Sequence, residues 1–395
     1  MDKFYEEIIH KSLVNKTTIN LQTFIKNCKG CFIVDCVKFL KESNLNNDKK
    51  TKILLETTKN ERIYKRSVYK YVKYNPIPHM LDSDWRFTYK TQNYLFNKIS
   101  KYCDQNNRFL FVGTPSLIYN KNVFLKKSDV TFIEKNITNI RFQNKVVSDI
   151  MTYSEEKKFD AIICDPPWYK DAYLNFIFKF GKLSNINAFL FVIFPPFGVR
   201  ESIERERTDI INFAKKVGYE LIEEDVETIN YISSPFEINS ILDNKITNFP
   251  IDWRYGNLLI FKYVRNETIN FIFSNKNEEI RWREYTINNI RIKLLPSQTC
   301  STKKIFEKIY DSDILPTVSM RNDKLKLVNF WTSGNRVFKC NNTKLVSEIL
   351  NLRSKKSYRF CLKVYKDKKE IVDFIENIIS LEYKEYGKYW DKTSK

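Results

Sequence analysis

Hydrophobic positions in the middle of the chain, residues 82–265, alternate between short continuous runs and stretches with helical spacing. Apolar runs such as "FLFV" and "FLFVIF" predict strands that are covered on both faces, as in a parallel sheet. Helical spacing predicts helices at about 89–102, in "DAYLNFIFKFGKL" and in "ESIERERTDIINFAKKVG". Strands and helices that alternate in this way predict a doubly wound α/β sheet. Its last two strands are predicted in "YELIEEDVETINYI" and "YGNLLIFKYV".

The two flanks follow other patterns. Residues 1–75 carry apolar positions at helical spacing in "MDKFYEEIIHKSLV" and "LQTFIKNCKGCFIVDCVKFLKESN", and "NPIPHM" at 75–80 reads as a linker. In residues 266–395, "YTINNIRIKLL" and "KLKLVNFWTSGNRVFKC" predict strands, and helices are expected near 343–352 and 368–384. We therefore expect a helical domain at 1–75, an α/β core at 80–265 and an α+β domain at 266–395.

Residues that directly follow the predicted strands are the candidates for chemistry, because ligands of such sheets bind beyond the carboxyl ends of the strands. These residues are Gly113, Thr114, Pro115 and Ser116, then Glu134, Asp149, Asp165-Pro166-Pro167-Trp168, and Pro195-Pro196-Phe197.

The Asp-Pro-Pro-Trp tetrad has the composition of a receptor for a planar amine. Its two prolines fix the turn and remove two backbone donors. Asp165 and the Pro166 carbonyl can accept the two N–H groups of an adenine amino group, and Trp168 can stack on the ring. Holding the nitrogen in this way orients its lone pair toward an electrophile.

The tetrad resembles the motif of S-adenosylmethionine-dependent amino-methyltransferases, especially those that act on adenine N6. The order of elements in residues 82–265 is similar to the seven-stranded, Rossmann-like class I methyltransferase sheet. "DSDWRFTYKTQNYLFNKI" followed by "FLFVGTPSLIY" looks like the small N6-adenine-methyltransferase-like family, which includes a ribosomal-RNA adenine methyltransferase and a protein-lysine methyltransferase.

The resemblance implies roles for individual residues. Asp165, Pro166, Pro167 and Trp168 would be catalytic. Glu134 would hold the ribose hydroxyls of S-adenosyl-L-methionine, and Asp149 would lie by its adenine. The loop Gly113-Thr114-Pro115 would approach the cofactor, although it has one glycine where the wider family has two or three. Tyr169 and Phe197 are expected at the substrate, and loop packing is an equal alternative for Phe197.

Charge changes the picture for the flanks. Residues 1–80 hold 16 Lys and Arg against 8 Asp and Glu, and residues 266–395 hold 26 against 16, whereas the middle holds 25 against 23. Basic flanks around a nearly neutral core fit a protein that grips a polyanion, so nucleic acid is the expected partner. A Lys-rich surface without such a role is the alternative.

Weaker patterns are open to two interpretations each. "ERIYKRSVYKYVKY" at 61–74 interleaves cations with tyrosines, which fits either nucleic-acid binding or packing. The basic cluster "NLRSKKSYR" and the possible hairpin tip "WTSGNR" read as solvated surface. Cysteines in "CKGCFIVDC" fit a helix face better than a metal site, since the chain has only two histidines and no metal is expected.

The sequence thus predicts methyl transfer to adenine N6 in nucleic acid, with RNA slightly favoured over DNA. The alternatives are a protein-lysine methyltransferase, a non-catalytic nucleic-acid-binding module on the same fold, and aminopropyl transfer to a polyamine. Neither a run of about 18 apolar residues nor a signal-peptide pattern occurs, and the eight cysteines lack a disulfide framework. We therefore expect no membrane segment and a cytoplasmic location.

Overall fold

The structure is a computed structural model of the 395-residue chain. It describes residues 3–14, 20–43, 49–59, 77–119, 128–135, 144–267, 269–271, 282–296, 304–320 and 322–389. The Tyr-rich basic segment at 61–74 lies outside these ranges, so its two interpretations stay open.

An eight-stranded sheet forms the core. Its strands are β1 Arg86–Phe87, β2 Arg108–Val112, β3 Asp129–Glu134, β4 Lys145–Val147, β5 Phe159–Cys164, β6 Ser184–Phe194, β7 Tyr219–Ile232 and β8 Tyr255–Tyr263. They lie in the order β1-β7-β8-β6-β5-β2-β3-β4. β8 runs antiparallel to both β6 and β7, while β2 to β6 are mutually parallel. The predicted seven-stranded class I sheet is confirmed, with β1 as an additional edge strand.

Helices cover both faces of this sheet. They are α5 Tyr89–Tyr102, α6 Pro115–Tyr119, α7 Lys170–Leu183 and α8 Ile203–Val217, and α9 Pro235–Asp243 follows β7. On one face, α7 and α8 pack with Leu110, Ile162 and Leu190. On the other, α5 packs with Phe111 and Ile163. Because the apolar runs of β2, β5 and β6 are buried on both faces, they have no alternating polar positions.

The described residues of the N-terminal part form four helices: α1 Lys3–Val14, α2 Leu21–Asn27, α3 Ile33–Glu42 and α4 Lys49–Thr57. The pattern around Cys28–Cys36 did not reveal the break between α2 and α3, which occurs where Lys29 and Gly30 adopt positive φ angles of 51° and 96°. Cys28, Cys31 and Cys36 are buried and unpaired as disulfides.

The C-terminal part is a second sheet with helices. Its strands are β9 Arg283–Ile287, β10 Ile290–Leu294, β11 Phe306–Lys308, β12 Phe330–Thr332 and β13 Val337–Cys340, in the order β11-β13-β12-β10-β9. The helices are α10 Thr343–Arg353, α11 Tyr358–Val364 and α12 Lys369–Tyr389. One apolar cluster continues from the N-terminal helices through α9 to this sheet. The described parts of the two flanks thus share one apolar core. The three predicted domain limits stay a prediction.

Three sequence expectations for this part were wrong in detail. "YTINNIRIKLL" is a hairpin, because Asn288 and Asn289 adopt positive φ angles of 50° and 66°. "KLKLV" is not strand but largely a 3-10 turn, Asp323–Leu327. The tip "WTSGNR" is a hairpin turn but is not solvated: Ser333, Asn335 and Arg336 are almost fully buried.

The described part of the expected linker is packed rather than exposed. Ile77, His79 and Met80 are buried. The Leu81 amide donates to His79 Nδ1 over 3.2 Å, and His79 Nε2 lies 3.1 Å from the Trp331 carbonyl. Burial lowers the pKa of His79 to about 3, so this side chain is a neutral structural contact. Among the described helices, none has the length and apolar character needed to cross a membrane.

Candidate active site

Asp165 follows β5 at the carboxyl edge of the large sheet, as the sequence predicts. Its backbone amide makes the last contact of the β2–β5 ladder, to the Val112 carbonyl over 3.4 Å. Pro166 and Pro167 have no amide hydrogen, so the ladder cannot continue. The Tyr169 amide instead donates a hydrogen bond to the Pro167 carbonyl over 2.7 Å. The strand therefore ends in a fixed turn that presents the Asp165 side chain at the edge.

Tyr231 holds the Asp165 carboxyl in place. Tyr231 lies near the end of β7, and its phenol group donates to both carboxyl oxygens of Asp165 over 3.0 Å each. The tyrosine is only 1% exposed. Because one fully buried O–H is shared between two oxygens, the carboxyl group has a defined orientation and keeps further acceptor capacity on both oxygens.

The protonation of Asp165 is set by its surroundings. The pKa of Asp165 is raised to about 8, chiefly by burial; hydrogen bonds from Tyr231 and Trp168 oppose the rise, and the nearby Asp84 adds to it. Burial and the Asp165 charge also raise the pKa of Tyr231 well above its usual value. Tyr231 is thus a permanent donor, whereas Asp165 changes charge near neutral pH.

Trp168 forms the aromatic wall beside this carboxyl. Its ring meets Tyr231 edge to face, with 5.8 Å between centroids. Gly256 on β8 lies beside the ring: a Cβ there would be in ordinary contact with Trp168 Cζ2 at 3.7 Å but would lie only 2.9 Å from the Phe194 carbonyl oxygen. Trp168 is half-buried, so part of the ring stays accessible for stacking.

Arg254 stacks among the tryptophans around the site. Its guanidinium carbon lies 4.8 Å from the Trp85 ring centroid, 4.7 Å from Trp253 and 5.9 Å from Trp168. Glu237, which is fully buried, accepts from Arg254 Nη2 over 2.6 Å. The cation therefore stiffens the aromatic wall while its own charge is neutralised.

A second ion pair, whose two charges also cancel, lies at the start of β1. Arg86 Nε donates to Asp84 over 2.8 Å, and the Arg86 side chain is 1% exposed. Both arginines are paired, and the raised pKa of Asp165 favours its protonated form at neutral pH, so the charges around the aromatic wall almost balance. Such a site favours an uncharged amine over an ammonium group, since the latter would require a net negative pocket.

Gly113 follows β2 and contacts the ends of the two neighbouring strands, β3 and β5. Its φ of +63° is in the region that favours glycine, its amide donates to the Ile133 carbonyl over 3.2 Å, and an added Cβ would lie 3.3 Å from the Asp165 carbonyl oxygen. Gly113 is exposed, whereas Thr114, Pro115 and Ser116 are buried. Within the loop, only Gly113 therefore offers open backbone to a ligand.

The two predicted acids of the cofactor site lie at neighbouring strand ends. Glu134 is half-buried at the end of β3. Asp149 follows β4; its Oδ1 accepts the Met151 amide over 2.9 Å and its Oδ2 pairs with Lys135 over 3.1 Å. Asp149 therefore caps a turn in this structure, and a role toward a cofactor would use its remaining acceptor capacity. Both roles stay predictions.

The two predicted substrate residues differ in position. Tyr169 is half-buried at the N-cap of α7, directly after the tetrad. Phe197 is half-buried in a short 3-10 turn and packs on the cluster formed with α7 and α8. That turn is also held by the N-terminal helices, since the Gly198 amide donates to the Lys29 carbonyl over 2.7 Å. Packing thus accounts for Phe197, and its role at a substrate stays a prediction.

Sequence reasoning missed Tyr231, Arg254, Trp85 and Asp84. Tyr231 could have been found, because the rule that selected Asp165 also applies to the carboxyl end of β7. Arg254 and Trp85 lie just before strands that run the opposite way, so their amino ends reach the same edge. No group of three or more His, Cys, Asp or Glu in the described ranges could hold a metal ion.

Comparison with known proteins defines the fold. No protein-family model and no curated protein matches the sequence. The structure resembles the branched-chain polyamine synthase of Thermus thermophilus, solved with N4-aminopropylspermidine and 5'-methylthioadenosine: TM-score 0.51, 11% identity, 69% of this chain and 91% of that chain. The C9 mutein of that enzyme matches with the same TM-score. A putative RNA methyltransferase from Pyrococcus horikoshii matches with TM-score 0.34 and 15% identity, over 48% of this chain and 90% of that chain.

The topology and these comparisons together define the fold class of the protein. The chain has the Rossmann-like class I methyltransferase fold, with its parallel strands, its late antiparallel strand β8 and an acid-Pro-Pro-aromatic turn after β5. At 11–12% identity the likeness extends no further than the fold.

Proposed function

We propose that this protein transfers a methyl group from S-adenosyl-L-methionine to an exocyclic amino group, and that the group is adenine N6 in nucleic acid, with RNA favoured over DNA. The observation that carries the proposal is the Asp165 carboxyl, oriented by Tyr231 and walled by Trp168 at the edge of a class I sheet. When bound, the cofactor supplies an electrophilic methyl group.

The residues of this chain bind and orient the amine. Asp165 accepts one N–H of the amino group, and the Pro166 carbonyl is the proposed acceptor of the other. Trp168 stacks on the ring and fixes its plane. The nitrogen lone pair is then aimed at the methyl group, so positioning supplies much of the catalysis. No residue needs to remove the proton before attack, because the amine can lose it to water after the bond has formed.

The cofactor side of the sheet edge fits the nucleoside part of S-adenosylmethionine. Gly113 exposes backbone, Glu134 lies at the next strand end, and the buried Thr114 hydroxyl has no hydrogen-bond partner in the described structure. Glu134 is the proposed partner of the ribose hydroxyls, and Asp149 is the proposed neighbour of the adenine.

Aminopropyl transfer to a polyamine is the second candidate, because the solved structure that matches with a TM-score of 0.51 is a polyamine synthase. Polyamines carry several positive charges at neutral pH and would need a strongly acidic channel. The near balance of Asp84 with Arg86 and of Glu237 with Arg254 argues against such a channel. A lysine substrate meets the same objection and has no ring to stack on Trp168.

The test supplies each acceptor class separately. The protein is incubated with methyl-labelled S-adenosylmethionine and RNA, single-stranded DNA, protein or spermidine, and a further arm offers decarboxylated cofactor with spermidine. We expect label in RNA that digests to N6-methyladenosine. Label in lysine, or aminopropyl transfer to spermidine, would replace the proposal; no transfer to any acceptor would refute it. The matched control is Asp165→Asn, which keeps the shape of the turn.

A further inference from the structure

The segment Arg353–Lys369 of the C-terminal part is the most basic exposed stretch among the described residues. It carries eight Lys or Arg and a single acid, Asp367. Of these cations, Arg353 pairs with Glu376, whereas the other seven form no ion pair with a described carboxylate. A cationic surface of this density, left uncompensated by its own chain, attracts polyanions.

Helix α11 at the centre of this segment has two unlike faces. Cys361 is buried, and the Tyr358 hydroxyl donates to Asp373 of α12 over 2.6 Å, so one face is fixed against α12. Four residues point away from α12 at i, i+1, i+4 and i+5 spacing: Arg359, Phe360, Lys363 and Val364. We name these four residues the α11 face.

The α11 face combines cations with exposed apolar groups. Phe360 is 44% exposed and Val364 is 53% exposed. Lys356 Nζ lies 5.8 Å from the Phe360 ring centroid, so a cation already borders the ring. A single exposed phenylalanine is ordinary on a protein surface, so the ring is informative here only because cations border it. The pairing of an aromatic ring with cations one turn apart is what unpaired bases on a phosphate backbone require.

We propose that the α11 face is a docking surface for single-stranded nucleic acid: Arg359 and Lys363 contact consecutive phosphates, and a base stacks on Phe360. This revises the sequence-based interpretation of "NLRSKKSYR" as simple surface. The α11 face shares no residue with the proposed amine site, and its neighbours belong to a different apolar cluster. The inference rests on the proposed nucleic-acid substrate, but its test measures binding and needs no methyl transfer.

Affinity is measured by fluorescence anisotropy of the full chain with a labelled single-stranded RNA, over a salt series. For Arg359→Glu/Lys363→Glu we expect affinity to fall about tenfold or more, and the log–log salt slope to become shallower by about 1.4, since each lost phosphate contact on a single strand accounts for about 0.7. Phe360→Ala should weaken binding about fivefold with an unchanged salt slope. Phe360→Tyr keeps a ring and should bind like the wild type.

The matched charge control is Lys215→Glu/Lys216→Glu, on the exposed last turn of α8. If this control weakens RNA binding as much as the α11 pair, the effect is one of net charge and the docking surface is refuted. Unchanged binding in the α11 variants refutes it directly. A parallel sedimentation with phosphatidylserine vesicles tests a membrane partner: vesicle binding lost in the α11 variants while RNA binding is kept would overturn the proposal.

The outcomes also separate this surface from the proposed activity. If Asp165→Asn binds RNA with wild-type affinity and the α11 variants do not, the docking surface stands even where no acceptor is methylated. If methylation of short adenine-containing oligonucleotides persists while α11 variants bind RNA normally, the activity stands and the docking surface falls.

Discussion

The two sides of the carboxyl edge of the large sheet differ in how much of their geometry is already fixed by the protein. On the side proposed for the substrate, the two carboxyl oxygens of Asp165 share the O–H of a buried tyrosine, and the Trp168 ring packs on Tyr231 and contacts Gly256. On the side proposed for the cofactor, β4 is only Lys145–Val147, with Val147 48% exposed, and Asp149 accepts a hydrogen bond within a turn and pairs with the exposed Lys135.

This difference suggests a division of labour. Side chains that must orient a reacting nitrogen gain from being rigid before substrate arrives, because any freedom lost on binding weakens it. A cofactor with many polar groups can order short strand ends by its own contacts. Mutations on the substrate side should therefore affect turnover, and mutations on the cofactor side should affect affinity.

The largest effect is expected for Asp165→Asn. The amide replaces one acceptor oxygen by a donor, which would face the substrate N–H and also the Tyr231 hydroxyl. Methyl transfer should fall about 100-fold or more, equivalent to about 3 kcal/mol of transition-state stabilisation. Cofactor affinity, measured by calorimetry, should stay within about twofold. Intact turnover with only a changed melting temperature would assign Asp165 to the turn alone.

Tyr231→Phe should have the next largest effect, about 20-fold on kcat/KM, because it removes the O–H shared by the two oxygens of Asp165 without changing the ring. It should also move the pH profile. An ionised Asp165 is the better acceptor, so kcat/KM of the wild type should rise with pH and level off above about 8, the pKa of this carboxyl.

The sign of the shift follows from the hydrogen bonds. Tyr231 donates to the ionised form and so opposes the rise in the pKa of Asp165. Its removal should move the rising limb of the profile to higher pH, whereas a purely structural role would lower the rate equally at every pH. A superimposable profile would exclude Tyr231 as the residue that controls this carboxyl.

Glu134→Ala tests the other side of the edge. Losing a charged hydrogen-bond partner of the ribose should weaken S-adenosylmethionine binding about tenfold, with turnover at saturating cofactor nearly unchanged. Glu134→Gln serves as the matched control, since it keeps the length and one acceptor. Equal affinities of wild type and Glu134→Ala would remove this residue from the cofactor site.

The smallest effect is expected for Trp168→Phe, which keeps an aromatic face and should lower turnover less than about threefold. Trp168→Ala should cost more, about tenfold, unless Tyr169 takes over the stacking. Neither change should alter cofactor affinity. A strong loss of cofactor binding in Trp168→Phe would mean that the two sides of the edge are not separable.

Local signals made the fold and half of the site predictable. Continuous apolar runs define the strands, and Asp165, Glu134 and Gly113 each follow such a run directly, so the chain order gives their place at the edge. Tyr231 is different, because it is 66 residues from Asp165 and β7 changes register twice against β8. The strand-end rule places the carboxyl end of β7 at this edge, but the two register shifts decide that Tyr231 is the residue that faces Asp165, and no local pattern encodes those shifts.

The remaining misses have similar causes. β1 has two residues and owes its existence to pairing with the end of β7. The burial of "WTSGNR" depends on Glu382, which lies on α12, 48 residues further along the chain. Glu382 accepts a hydrogen bond from the Gly334 amide over 2.8 Å. Burial raises the pKa of Glu382 to about 7. Polar turn residues usually indicate solvent exposure, and only the tertiary partner reverses that.

The contact between Gly198 and Lys29 bears on how the chain can be cut. The N-terminal helices meet the loop after β6 backbone to backbone, the Tyr5 hydroxyl donates to the Val199 carbonyl over 2.7 Å, and a Cβ on Gly30 would lie 2.7 Å from Pro196 Cγ. A catalytic fragment that starts at residue 80 would leave that loop bare. For engineering, the described N-terminal helices are thus part of the support of this loop, and charge substitutions test their role better than truncation does.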